Sequence, residues 1–271
     1  MRLAFLGPAG TFGEEAALAY APAAEFVACV SHAAVAKAVE SGQADAGMFA
    51  IENSINGSVA ETLDVFVHQT RLRIQAEVLL PIELFLVARP GTRPEDVRVI
   101  SSHPQPLGQC REFLARHFPE AQLEAALSTS AAVEAAMRRN HTAAIGTRRA
   151  AEIFGAAVLA EHVQDVSNNV TRFVVAADGD VPPTGRDRTS IAFTFADDRP
   201  GSLAGVLNEF ARAGINCSKI ESRPTRATLG EYVFLVDFDE HAETPQGRAV
   251  LDAIRPLCSE VKVFGSYPRA R

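Results

Sequence analysis

Residues 178–188 read Asp-Gly-Asp-Val-Pro-Pro-Thr-Gly-Arg-Asp-Arg, a stretch rich in glycine, proline and charge. It has no apolar periodicity, and this composition is typical of a linker between folded units. The chain has 271 residues, which is enough for two ordinary domains. The segment therefore predicts a first domain over 1–178, a linker over 179–188, a second domain over 189–265 and a tail over 266–271.

Before the linker, short apolar runs alternate with amphipathic stretches, the pattern of an α/β domain. The pattern predicts strands over 3–6, 46–51, 84–88, 97–100, 143–145 and 173–177, and helices over 14–20, 59–68, 109–117, 131–139 and 147–154. After the linker we expect strands over 189–195, 215–222, 231–238 and 261–264, with helices over 200–213 and 245–257. That order is βαββαβ, which predicts a ferredoxin-like fold.

The amino-acid composition limits the kinds of molecule that the protein is expected to bind. The formal net charge is −7 and no basic patch is visible, so we expect no nucleic-acid partner. The four cysteines are scattered without a zinc-like spacing, which favours free thiols in a reducing cytoplasm and predicts no metal and no cofactor. The first apolar run is too short for a signal peptide, and no run is long enough to span a membrane, so a cytoplasmic location is expected.

Thr171 and Arg172 lie where a polar stretch runs into the apolar segment 173–177. A hydroxyl and a guanidinium at the mouth of a strand are placed to meet a small anionic substrate, since α/β folds commonly carry their chemistry there. A polar turn before a core strand explains the same residues.

The turn after the second predicted strand also carries polar side chains. Ser58 and Glu61 fit a capping box at the start of the next helix. This leaves Glu52, Asn53 and Ser54 without an evident structural role. They are candidates for a binding site, with a hydrogen-bonded turn as the alternative.

Three further junctions offer hydroxyls, amides and the free backbone N–H groups of helix starts, which together can hold an anion. Thr11 and Glu14 fit another capping box after a glycine-rich turn. His103 can titrate near neutrality, although a structural role explains it as well. Ser102 and Gln109 offer uncharged hydrogen bonds, and the hydroxyls of Ser128, Thr129 and Ser130 that are not needed as a cap are candidates for contacts to a carboxylate.

These junctions resemble the motifs of prephenate dehydratases. The matching segments are Gly-Pro-x-Gly-Thr-Phe at 7–12, Ile-Glu-Asn-Ser-Ile-x-Gly at 51–57, Ser-His-Pro-Gln-Pro-Leu-x-Gln-Cys at 102–110, Ser-Thr-Ser-Ala-Ala at 128–132, Ala-Ala-Ile-Gly at 143–146, and Gln-Asp followed by Asn-x-Thr-Arg-Phe within 164–173. They occur in the order of the family and, with the second domain, cover essentially the whole chain.

The resemblance implies a two-lobed catalytic domain like type II periplasmic binding proteins, with chain crossings near 76–82 and 160–166. It implies the decarboxylating dehydration of prephenate to phenylpyruvate in phenylalanine biosynthesis. Thr171 would donate a proton to the leaving hydroxyl or relay it, with help from Arg172. The expected substrate contacts are Asn53, Ser54, Ser102, Gln109, Thr11, Ser128, Thr129 and Phe173.

The second domain resembles ACT regulatory domains, including Gly-Ile-Asn-x-x-Lys-Ile-Glu-Ser-Arg-Pro at 214–224. This implies allosteric feedback by phenylalanine and a homodimer or homotetramer. The expected phenylalanine contacts are Gly201, Ser202, Leu203, Ala204, Asn216, Glu221, Ser222, Arg223 and Pro224. Two alternatives remain open: an arogenate dehydratase, which would use the same residues, and a non-catalytic cytosolic sensor of aromatic metabolites.

Overall fold

A computed structural model of the chain describes residues 1–196, 199–225 and 231–270. The chain divides into two compact units, the first formed by Met1–Thr62 and Val78–Phe173, the second by Leu63–Glu77 and Val174–Arg271. None of the helices in these described ranges combines the length and apolar character that a membrane span requires.

The strands alternate with short helices along most of the chain. The strands are β1 (Arg2–Leu6), β2 (Glu25–Cys29), β3 (Ala46–Asn53), β4 (Gly57–Ser58), β5 (Arg73–Pro81), β6 (Phe85–Ala88), β7 (Val99–Ser102), β8 (Gln122–Ala125), β9 (Thr142–Gly146), β10 (Ala157–Ala160), β11 (Val170–Ala177), β12 (Asp187–Thr194), β13 (Cys217–Pro224), β14 (Tyr232–Phe238) and β15 (Glu260–Pro268). The α-helices are α1 (Phe12–Tyr20), α2 (His32–Glu40), α3 (Ala60–Asp64), α4 (Pro104–Gln109), α5 (Arg111–His117), α6 (Thr129–Arg138), α7 (Arg148–Phe154), α8 (Ser202–Arg212) and α9 (Pro245–Ile254).

Two sheets give the first unit two lobes. The first sheet has the strand order β2-β1-β3-β11-β5, with β4 paired to β3. The second has the order β10-β6-β9-β7-β8. The chain passes from the first sheet to the second between β5 and β6 and returns between β10 and β11. The predicted α/β fold, a two-lobed domain of the type II periplasmic-binding-protein kind, is confirmed.

Strand β6 shows why the strands of the two lobes appear as continuous apolar runs in the sequence. Leu86 and Ala88 face one core together with Ile100, whereas Phe85 and Val87 face the opposite core, which includes residues of α6. A strand that is buried on both faces has no polar side, so its residues are apolar throughout and do not alternate between apolar and polar.

The second unit contains the four-stranded sheet β13-β14-β12-β15, in which every pairing is antiparallel. Helices α8 and α9 supply Val206, Phe210 and Ile254 to its core, against Phe193 and Phe238 of the sheet. The βαββαβ order is the predicted one, so the ferredoxin-like fold is confirmed.

Several elements differ from the sequence-based expectation. The helix expected over 109–117 begins at Arg111 as α5, and Cys110 at φ −117° separates it from α4. The helix expected over 59–68 begins at Ala60 and changes to a π-helix over Val65–Gln69. Strand β11 begins at Val170, so Thr171 and Arg172 lie inside the strand and not in a loop before it. β2, β4, β5, β8, β10, α2 and α4 were not predicted.

Candidate active site

A cavity of about 500 Å³ in the first unit is lined by residues of both lobes. From the first lobe these include Thr11, His32, Met48, Asn53, Glu61, Asn169, Thr171 and Phe173. From the second lobe they include His103, Gln105, Pro106, Gln109, Ser128 and Thr129. The described residues contain no cluster of His, Cys, Asp and Glu that could hold a metal ion.

Thr171 presents a hydroxyl whose hydrogen is free to reach the cavity. Its side chain is only 8% exposed, and Asn53 Nδ2 donates a hydrogen bond of 2.9 Å to its Oγ1. Because the amide is the donor in that contact, the Thr171 hydroxyl serves as acceptor and keeps its own hydrogen for another partner. The arrangement can place a proton donor against a bound molecule.

The Asn53 amide is held in this orientation by its other atoms. Its Oδ1 accepts hydrogen bonds from the backbone N–H groups of Ile55 (3.1 Å) and Asn56 (3.0 Å). Its second amide hydrogen can satisfy Asn169 Oδ1, which lies 2.7 Å from Nδ2. The side chain therefore shapes the turn after β3, as the hydrogen-bonded-turn alternative expects, and also aims a donor at Thr171.

Side chains alternate between the two faces of β11 and of β3. Thr171 and Phe173 line the cavity, and so does Asn53 on β3. Arg172 and Glu52 therefore point to the opposite face, where Arg172 Nη2 lies 3.2 Å from Glu52 Oε2. Arg172 is buried and is not among the residues that line the cavity. Arg172, which was expected to assist Thr171, is thus paired with the Glu52 carboxylate on the face of the sheet opposite the cavity.

The second lobe contributes amides and a helix start. Gln105 and Gln109 each donate from Nε2 to Asn56 Oδ1 at 2.9 Å, which joins α4 to the turn after β3. Ser128 accepts a hydrogen bond from the Ala131 N–H at 3.0 Å and so caps α6. Ser128 and the start of α6 face the cavity, where the backbone N–H groups of a helix start favour an anion.

Three expected substrate contacts have hydrogen-bond partners within the protein. Ser102 is fully buried and donates to the Ile145 carbonyl at 2.7 Å. Ser54 donates to the Asn168 carbonyl and accepts from the Val170 N–H, which fastens the turn to β11. Neither lines the cavity. Thr11 does line it, with its hydroxyl within 3.0 Å of the Pro8 carbonyl.

The predicted capping box at α1 is wrong. Thr11 makes no side-chain cap, because its hydroxyl is directed to the backbone carbonyls of the preceding turn. Glu14 accepts from the Gly10 N–H, one residue before the expected partner. At α3, Glu61 accepts from the His32 backbone N–H at 3.2 Å, a contact with another helix.

Several cavity residues, among them His32, Glu61 and Asn169, were not proposed as site residues from the sequence. His32 is 3% exposed, and its ring stacks on Phe49 with 6.0 Å between ring centroids. Burial lowers the pKa of His32 below its ordinary value, and the Glu61 carboxylate opposes that shift. The sequence signal that could have found α2 is Ser31 followed by a periodic apolar stretch, since Ser31 caps the helix by accepting from the Ala34 N–H.

Cys110 lies next to Gln109, so its reactivity bears on the site. Burial raises the pKa of its thiol to about 12, with the Asp165 carboxylate adding to the shift. A thiol that stays protonated near neutrality is a poor nucleophile, so Cys110 acts as an apolar core residue.

In the second unit, a separate pocket of about 600 Å³ lies at the start of α8. Its lining includes Gly201, Ser202, Leu203 and Ala204, as well as Phe234 of β14. Gly201 has φ +93°, a left-handed conformation that favours glycine. Four of the expected phenylalanine contacts therefore lie together.

The other expected contacts of the second unit lie on or next to β13. Asn216 donates to Asp239 Oδ2 at 3.1 Å. Arg223 pairs with Asp64 at 3.3 Å and with Glu221 at 3.5 Å. Ser222 and Pro224 are on the same strand. None of these residues lines the pocket at α8.

Comparison with known proteins agrees with the arrangement of the first unit. The sequence model of the family described as prephenate dehydratase matches residues 3–180. The chain belongs to the prephenate dehydratase family. A second family model, described as the ACT domain, matches residues 189–256.

Individual relatives match over nearly the full chain. A prephenate dehydratase of Mycolicibacterium vanbaalenii is 38% identical over 98% of this chain and 90% of its own length. A solved structure of a prephenate dehydratase from Arthrobacter aurescens, in complex with L-Phe, is 37% identical with a TM-score of 0.92, covering 100% of this chain and 90% of that one. A structure described as a novel type of quorum quenching acylase is 28% identical with a TM-score of 0.90, covering 100% and 98%.

Proposed function

We propose that this protein is a prephenate dehydratase that converts prephenate to phenylpyruvate. The observation that carries the proposal is the Thr171 hydroxyl, which lines the cavity between the lobes while Asn53 Nδ2 donates to its oxygen at 2.9 Å. The membership of the family and the match over the full chain support the same activity.

The reaction needs a proton at one oxygen and little other chemistry. The bond to the ring carboxylate breaks and its electron pair enters the ring, which releases carbon dioxide. The ring C–O bond breaks with its pair going to oxygen, which takes a proton and leaves as water. Thr171 donates to this departing oxygen, and the proton is replaced from solvent. Because aromatisation drives the reaction, orientation and one well-placed donor suffice.

The rest of the cavity suits a small dianion. Ser128 and Thr129 at the start of α6 can hold a carboxylate with neutral dipoles, and Gln109 and Thr11 offer further uncharged contacts. Phe173 supplies an apolar surface beside Thr171. Ser54, Ser102 and Arg172 do not line the cavity. In this proposal Arg172 is a positioning residue that holds β11 through Glu52.

The direct test is formation of phenylpyruvate from prephenate by the purified full-length protein, followed by ultraviolet absorbance. Turnover of arogenate in parallel decides between the two dehydratase activities. One fold can host different activities, and one similar structure is described as an acylase. The activity of the wild-type protein must therefore be measured before that of any variant. A folded protein that binds prephenate without turnover would favour the sensor, and one that does neither would contradict the proposal.

We also propose that the second unit binds phenylalanine and regulates the enzyme. The site is divided within one chain: Gly201–Ala204 line the pocket at α8, while Glu221–Pro224 lie on β13. β13 is at the end of its sheet, and within the described residues its strand partner is β14 alone. A second copy at this edge could complete the site, so we propose a homodimer or homotetramer with residues 1–178 and 189–265 as the catalytic and regulatory domains.

We expect the full-length protein to bind L-phenylalanine in titration calorimetry and to elute as a dimer or tetramer in light-scattering chromatography. The full chain is needed because Lys262 donates to the carbonyls of Phe66 and Thr70, which an isolated C-terminal fragment would lack. D-phenylalanine is the matched control, since it presents the same ring with the wrong stereochemistry. Absence of heat with both enantiomers would contradict the regulatory proposal.

A further inference from the structure

We propose that His32 is an additional substrate-binding residue, a neutral imidazole that donates a hydrogen bond from Nε2 to a carboxylate of the substrate. The inference rests on the proposed dehydratase activity and deepens it. His32 lies outside all the sequence motifs on which the family resemblance rests. Three features of the structure support this role: the burial of one ring nitrogen, the charges around the ring, and the contacts that hold it.

The first feature is the environment of Nδ1. His32 lines the cavity, yet its Nδ1 is buried and has no hydrogen-bond partner among the described residues. A buried N–H without an acceptor is costly, whereas a neutral imidazole can place its single proton on the other nitrogen. This favours the tautomer protonated at Nε2. The nitrogen that remains able to contact a bound molecule is therefore a donor.

The second feature is the balance of charge, which keeps the ring neutral. Burial disfavours the imidazolium, and so does the positive end of α2, because His32 is the first residue of that nine-residue helix. Glu61 of α3 favours the imidazolium, but the net effect is a lowered pKa. His103 of the second lobe lines the same cavity.

The charged side chains of β1 and β3, two of the strands against which α2 packs, have charged partners. Arg2 of β1 pairs with Asp45, and Glu52 of β3 is on the face that pairs with Arg172. Phe49 of β3 stacks on the imidazole with an interplanar angle of 27°. The ring is thus held by an apolar contact.

The third feature is how the backbone of His32 is fixed. Glu61 Oε1 accepts from its N–H at 3.2 Å, which ties the start of α2 to α3. A ring fixed by stacking and by this backbone bond loses little entropy when it binds a substrate. A neutral donor also binds a carboxylate without the cost of burying a net positive charge in the empty cavity.

The test compares His32→Phe, which keeps a stacking ring but no donor, with His32→Gln, whose amide nitrogen can take the place of Nε2. We expect His32→Phe to raise KM for prephenate about 10-fold or more, since a hydrogen bond to a charged group is lost, with kcat within about threefold. We expect His32→Gln to stay within about threefold of the wild-type KM. His117→Gln, at an exposed position outside the cavity, is the matched control.

Three outcomes would overturn the inference. An unchanged KM in a folded His32→Phe protein would exclude the substrate contact, and equal losses in His32→Phe and His32→Gln would indicate a packing role. Nitrogen NMR shifts of the ring at neutral pH must also show the proton on Nε2, and the opposite tautomer would contradict the argument. If the wild-type protein fails to convert prephenate, the proposed function fails instead, and this is visible before any variant is made.

Discussion

Replacing Thr171 with valine is expected to lower kcat for prephenate by about 10²–10⁴-fold, the usual worth of a positioned proton donor. Valine has nearly the shape of threonine but no hydroxyl, so the cavity keeps its form while the departing oxygen loses its donor. The bond from Asn53 Nδ2 to Thr171 Oγ1 is lost as well. Because the donor acts on the leaving group in the transition state, KM should stay within about threefold.

Two variants make this result specific. Thr171→Ser retains the hydroxyl and should keep most of the activity. Thr142→Val removes a buried strand hydroxyl outside the cavity, one that donates to the Asn140 carbonyl at 3.1 Å, and should cost about 1 kcal/mol of stability without loss of turnover. Steady-state kinetics and urea unfolding measure the two effects separately. Near-normal kcat in a folded Thr171→Val protein would remove Thr171 from the mechanism.

The fold could be predicted from the sequence because its apolar runs and turn residues agree with each other. The linker composition over 178–188 separates two patterns, one typical of an α/β domain and one of a βαββαβ unit. Strand β2 was not predicted because it lies at the edge of its sheet, where its residues are exposed or half-buried. Its sequence therefore shows neither a continuous apolar run nor a regular alternation of apolar and polar residues. With β2 unassigned, α2 and its His32 were missed too.

The sequence could not show to which face of a strand each side chain points. Thr171 and Arg172 are adjacent in sequence, and assigning them to a loop left both free to face a ligand. Inside β11 they must point to opposite faces, so one lines the cavity and the other pairs with Glu52. Ser102 is similar: it was expected in the turn after a strand, but it is the last residue of β7 and its hydroxyl donates to the Ile145 carbonyl.

Glu61 was misassigned for a different reason. A capping box is a local rule, and Ser58 with Glu61 satisfies its spacing. The helix begins at Ala60, so the spacing is displaced, and the Glu61 carboxylate instead accepts from His32, 29 residues earlier. Local motifs compete with contacts that are distant in sequence, and only the folded chain determines which one forms.

The second large effect is expected for Asn53→Asp. The carboxylate can still accept from the N–H groups of Ile55 and Asn56, so the turn after β3 is kept. It cannot donate to Thr171, and the Thr171 hydroxyl will instead donate to the carboxylate, away from the substrate. We expect kcat to fall about 10²-fold or more, since the proton donor is misdirected. Asn140→Asp, at an exposed position outside the cavity, is the matched control for the change of charge.

The double variant Asn53→Asp with Thr171→Val distinguishes this mechanism from a general effect of the new charge. If Asn53 acts by directing the Thr171 hydroxyl, then its replacement should matter little once that hydroxyl is gone, because residues that act as a unit are not additive. The double variant should then be within about threefold of Thr171→Val alone. Multiplicative losses would mean that Asn53 acts on the substrate independently, and the contact of 2.9 Å between Nδ2 and Oγ1 would be a feature of packing only.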